Sequence, residues 1–272
     1  MRTFATVALT CIAAVVCPLA PLRAEAFRDS YLDRPAFRLD DERRGPTESY
    51  VPQPGDIMLR LDHSPFWRAT HFMALAFDPN GSGIVFARPD GSLAVLEAGP
   101  NDTFWVRTLD LLPHLQEYAD DGPVWIRKRK EPLTKEQSAR LTVFALAQDG
   151  KRFALHRLAI QLTPLRTRGP LRTRFFGKPQ GDRRSYFCSE LVLEACVAAG
   201  ILDAERVRPS ATYPRDLFFG RSFNPFIDRH LDVNASWLPP ARWSAGPVTP
   251  LIAPTAAGPN CGTGWPHSGA RP

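Results

Sequence analysis

From Val51 onward the apolar positions come in short runs cut by turn residues. PQPGDIMLRL (52–61) is a turn signal followed by a short apolar run, which predicts a strand. THFMALAF (70–77) reads as a second strand, and the DPNGSG that follows it is hairpin chemistry. GIVFAR (83–88) and LAVLEA (93–98) are a third and a fourth, separated by the turn RPDGS. WVRTLDLL (105–112) and GPVWIRKRK (122–130) add one or two more. Together they predict a compact antiparallel unit.

At Thr134 the period changes. Thr134 is placed to cap a helix, with Gln137 at the capping-box spacing. Leu141, Phe144, Ala145 and Gln148 follow a helical stripe, and Gly150 ends it. Residues 151–162 read as a further helix or an irregular piece. The stretch 165–184 has seven basic residues against one acid, with glycines and prolines among them, and reads as a loop. Its arginines are either a solvated surface or a lip for anionic groups formed by Arg166, Arg168, Arg172 and Arg174. RSYFCSELVLEACVAAG (184–200) predicts a helix from about Cys188 to Ala199, with Gly200 as a left-handed cap.

The flanks differ from this centre. Arg2, the uncharged apolar run 4–20 and Ala24-Glu25-Ala26 have the form of a cleaved secretory signal covering 1–26. The expectation is export to the periplasm or beyond, and no later segment is apolar for long enough to span a membrane. Residues 27–49 are rich in arginine and acids, without apolar periodicity, and read as a polar arm. From 239 to 272 there are eight prolines and few branched residues, the composition of a disordered tail. One domain is left, over 50–238. The net charge of +6 favours anionic partners only weakly. Without a recognition motif it does not point to nucleic acid.

Three cysteines lie beyond the leader: Cys188, Cys196 and Cys261. The count is odd, so at least one thiol is unpaired. Cys188 and Cys196 on one helix would be separated by roughly 12 Å of rise, too far for a disulfide. Cys196 is therefore core or a partner for Cys261. Cys188 stands where a polar loop turns into a helix, and exposed N–H groups at such a terminus favour a thiolate.

A cysteine nucleophile needs a base and a group that orients the base. Of the six histidines, His71 opens an apolar run, where backbone would hold its ring. Glu97 closes the apolar run LAVLEA one hairpin further on. A structural histidine and a solvent-facing glutamate are the plainer readings of each taken singly. Nothing in the cysteine and histidine spacing resembles a zinc site, and no metal or organic cofactor is expected.

PGDIMLR, THFMAL, VLEAG and YFCSELVLEA, in that order, resemble the permuted papain-like amidases, the YiiX/YaeF-like branch of the NlpC-type cysteine peptidase superfamily. The resemblance covers about 52–220 and includes ATYPRDL (211–217). It implies an α+β fold, a circularly permuted papain-like arrangement with an antiparallel sheet packed against helices. It further implies Cys188 as nucleophile, His71 as base and Glu97 as orienter. Phe153 and Ala154 stand where the family often carries Tyr-Asp. The expected reaction is hydrolysis of an amide, in a cell-wall peptide or an acyl-amide, through a thioester. The Cys188 helix terminus would hold the oxyanion, with Tyr186 and Ser189 as further candidates. Two alternatives stay open: a thioester-forming acyltransferase or lipid-directed amidase, and a non-catalytic wall-binding protein.

Overall fold

Alternation inside the short apolar runs sends neighbouring side chains to opposite faces of one sheet. In β3 (Ile57–Arg60), Ile57 and Leu59 enter one hydrophobic core while Met58 enters another. The computed structural model describes residues 29–33, 46–61, 63–74, 76–100, 103–159, 163, 165–226, 231 and 233–246. The segment 1–26 expected to be a secretory signal, His230, Cys261 and the chain after 246 lie outside the described residues.

Among the described residues the sheet has eight strands. Alongside β3 they are β1 (Ser30–Asp33), β2 (Thr47–Ser49), β4 (Gly81–Ala87), β5 (Leu93–Ala98), β6 (Val106–Asp110), β7 (Val124–Arg127) and β10 (Ala241–Ala245). Their order is β2-β1-β10-β7-β3-β4-β5-β6, and each neighbouring pair is antiparallel. Helices cover both faces. α3 (Lys135–Gln148) and α5 (Cys188–Ala198) supply Leu141, Phe144, Leu191 and Val192 to the core on the Ile57 face. α2 (Leu111–Asp121) supplies Leu111, Leu115 and Tyr118 to the opposite core, with Tyr50 and Trp243. The fold is thus mixed α and β, a large antiparallel sheet packed against helices. A small parallel pair, β8 (Arg152–Phe153) with β9 (Ser185–Tyr186), leads into α5. Among the described residues the remaining α-helices are α1 (Pro65–Met73), α4 (His156–Ala159), α6 (Pro214–Phe219) and α7 (Val233–Ser236).

Several expectations change. The segment 70–77 is not a strand; its first part belongs to α1. Ser64-Pro65 is a helix start signal, since proline at the first helical position has no N–H to lose. The polar arm is not wholly outside the fold. β1 pairs with β10, Leu32 opposite Trp243, and both side chains are buried. The proline-rich tail likewise begins later than 239, because Ala241–Ala245 is an interior strand between β1 and β7. The 165–184 loop contains a one-turn π-helix, Arg172–Phe176. The capped helix at Thr134 forms as expected: Gln137 N–H donates to the Thr134 hydroxyl and the Gln137 amide oxygen accepts from Thr134 N–H. Gly200, at φ +69°, closes α5.

Two buried charges tie loops to the sheet. Arg127 donates to the Leu217 and Leu238 carbonyls and to Asn234, at 2.7, 3.0 and 2.5 Å, anchoring α6 and α7. Burial lowers its pKa to about 10. Asp56, of the PGD turn, accepts from Arg129 N–H at 2.7 Å, Tyr50 Oη at 2.9 Å and Gln53 N–H at 3.1 Å. Burial outweighs those donors and raises its pKa from 3.8 to about 7. A carboxyl raised on folding binds its proton more tightly in the folded state. Its contribution is fully present below pH 3.8 and is lost as pH rises through about 7. The stability difference between the parent and Asp56→Asn should therefore shrink or reverse from pH 5 to pH 8 in urea melts. A difference independent of pH would refute the assignment.

Candidate active site

The start of α5 is fixed by acids behind it. The Glu190 carboxylate accepts from Phe187 N–H at 3.2 Å and pairs with Arg157 and Arg183 at 2.6 and 3.2 Å. Glu194, one turn on, takes Arg183 and the N–H groups of Gln180 and Gly181. Cys188 is thereby held as the first helical residue, following β9. Its side chain is 6 % exposed and its thiol donates to the Asn80 carbonyl at 3.6 Å. Burial raises the thiol pKa. The Ser82 hydroxyl, the Ser189 N–H and Arg60 favour the thiolate, and the Glu97 charge opposes it. The Ser82 hydroxyl has no hydrogen-bond partner of ordinary geometry. The helix terminus therefore does not by itself make Cys188 a standing thiolate.

His71 reaches the same place from α1. Its Nδ1 lies 2.8 Å from the Trp67 carbonyl one turn back. A carbonyl only accepts, so Nδ1 carries the proton and Nε2 is the basic nitrogen. Trp67 is itself wedged against Phe153 and Phe104, with centroids 5.0 and 5.9 Å apart. Cys188 and His71 line one narrow cleft, walled by Trp67, Ala74, Ala76, Phe153, Phe187, Ser189, Tyr213 and Pro214. A second small space on the sheet side is lined by Cys188 and His71 together with Arg60, Asn80, Gly81 and Glu97.

Glu97 is thus near both, but its hydrogen bonds go elsewhere. Its oxygens accept from Arg60 Nε at 3.0 Å, His114 Nε2 at 2.9 Å and Tyr118 Oη at 3.1 Å. Burial opposes its charge most strongly, yet Arg60 and His114 together outweigh burial and hold its pKa below the usual range. The carboxylate expected to orient His71 is instead bound to a different imidazole, and the orienting acceptor of His71 is a backbone carbonyl. In the sequence, Pro113 beside His114 suggests a loop. Leu111, His114, Leu115 and Tyr118 are in fact spaced as one helical stripe, and proline is tolerated in a first turn.

Tyr186 lies in the structural layer behind. Its hydroxyl meets the Gln148 side chain, the Gly181 carbonyl and the Arg183 N–H, each at 2.8 Å. That leaves it no part in holding an oxyanion. Ser189 lines the cleft, with its hydroxyl donated to the Thr212 carbonyl at 2.7 Å. The arginine lip divides. Arg168 makes two bonds to buried Asp216, at 2.8 and 2.9 Å, and lies over the Tyr213 ring. Arg172 donates to the Leu165 carbonyl. Arg166 and Arg174 are exposed. Cys196 is buried, and burial pushes its thiol up to about 12. Among the described residues no group of three or more His, Cys, Asp or Glu is arranged to hold a metal ion. Among them, too, no helix is long and apolar enough to cross a membrane.

No family model matches the chain, and no curated protein matches it. Among solved structures, the crystal structure of the metalloprotein YiiX from Escherichia coli O157:H7 is similar at 17 % identity and a TM-score of 0.40. The match covers 73 % of this chain and 99 % of that one.

Proposed function

We propose that the chain is an exported cysteine hydrolase that cleaves an amide or related acyl bond through a thioester. Cys188 is the nucleophile and His71 the base. The observation that carries this reading is the meeting of the two in one cleft, a thiol at a helix N-terminus and an imidazole whose Nδ1 is tied to backbone. The buried thiol starts neutral. His71 Nε2 takes its proton as sulfur attacks the acyl carbon, and returns it to the leaving nitrogen as the tetrahedral intermediate collapses to the thioester. Water then attacks the thioester with His71 as base, releasing the acid and the thiol. N–H groups at the start of α5 are the donors nearest the developing oxyanion. The cleft walls are mostly apolar and aromatic, which suits an apolar acyl portion beside the scissile bond.

Short p-nitrophenyl esters, quenched in acid and followed by intact and peptide mass, test this. The acyl mass should appear on the peptide carrying Cys188 and be absent from Cys188→Ala, with Cys196 unmodified. An adduct that persists in Cys188→Ala, or none in the parent, would overturn the reading. An added amine acceptor separates hydrolysis from acyl transfer by its product.

A further inference from the structure

Arg60 sits on the wall of the space it shares with Cys188 and His71, and three observations fix its guanidinium there. Its Nε donates to Glu97 at 3.0 Å, its Nη2 approaches the Gly99 carbonyl at 3.4 Å, and its Cζ lies 4.2 Å from the centre of the Tyr118 ring. The chain leaves room for it. A Cβ at Gly81 would stand 2.5 Å from Arg60 Cγ and 2.8 Å from Nε, so a side chain at 81 and this arginine exclude one another.

We propose that Arg60 is the fixed cation of the site, stabilising negative charge on the Cys188 sulfur and on the oxyanion, and that Glu97 acts as its anchor rather than as a partner of His71. The catalytic use of this charge rests on the reading of Cys188 as nucleophile; the electrostatic claim does not. Glu97 and Arg60 act on the sulfur with opposite sign, since the carboxylate disfavours the thiolate and the guanidinium favours it. His71 faces the same space, and His114 stands behind Glu97.

The opposite signs make the test. Methyl methanethiosulfonate is small enough for a nearly closed site, and its reaction at Cys188 can be followed by peptide mass from pH 6 to 10. Arg60→Met should slow the reaction roughly tenfold at each pH in this range, the sign of a midpoint moved up. Glu97→Gln should move it down. Arg60→Lys, which keeps the charge, should stay near the parent, and the double variant R60M/E97Q should fall between the singles and guards against a folding defect in either. If Arg60 only supports packing, Arg60→Met and Glu97→Gln both loosen the wall and shift the reaction in the same direction, and the proposal fails. It also fails if Arg60→Lys behaves like Arg60→Met. None of these readings needs turnover, so they stand apart from the acyl-adduct experiment.

Discussion

Replacing Cys188 by alanine is expected to lower turnover of an acyl substrate by about four orders of magnitude or more, since loss of a covalent nucleophile removes the thioester route altogether. His71→Ala should cost about 10²- to 10⁴-fold at neutral pH, the usual range for a positioned base. The second expectation has a sharper form because burial raises the Cys188 pKa. A pre-formed thiolate would survive loss of the imidazole with much of its reactivity. A neutral buried thiol does not, because something must remove its proton during attack. The His71→Ala rate should therefore climb steadily with pH as hydroxide substitutes for the base, while the parent levels off. Rates on a p-nitrophenyl ester from pH 6 to 9.5 decide this, with melting curves confirming that the variants fold. A His71→Ala chain that keeps the parent rate and profile would remove His71 from the mechanism.

The parts of the site that are local in sequence were legible there, and the parts made by distant pairing were not. Cys188 at a helix start could be read from a polar loop followed by small and branched apolar residues, because helix onset is a local event. Thr134 and Gln137 were legible for the same reason. The sequence puts His71 at the start of a strand, whereas the structure puts it on a helix. THFMALAF is apolar enough for a buried strand, but the preceding Ser64-Pro65 commits the chain to a helix, and the strand beside β5 is Gly81–Ala87. The sequence leaves Glu97 either at a strand end in solvent or beside His71. Which imidazole it meets depends on how α2 packs on the sheet, and no local pattern encodes that. Two inner strands, SYLD and ARWSA, are too short to show a period in the sequence. Their burial follows only from pairing across most of the chain.

Glu97→Ala is expected to destabilise the fold by about 3–5 kcal/mol, the range for removing one partner of a buried ion pair. The carboxylate is essentially inaccessible and meets three donors. Alanine would remove the carboxylate that pairs with the Arg60 guanidinium, 9 % exposed, and that His114 and Tyr118 share as an acceptor. Glu97→Gln keeps an oxygen acceptor and nearly the same volume, so its cost should be smaller. The size of the loss in Glu97→Ala would come from the stranded partners rather than from the net worth of the pair. Removing the arginine as well should then recover part of it. The double variant R60M/E97A should be more stable than the sum of its singles implies by more than about 1 kcal/mol, the coupling expected of residues in direct contact. Urea unfolding measures all four chains, and an unchanged m-value shows that the unfolded state is comparable. Additive losses, or a Glu97→Ala cost below about 1 kcal/mol, would mean that water reaches this cluster and screens it. Arg60 would then be too weakly held and too well solvated to act as the fixed cation of the site.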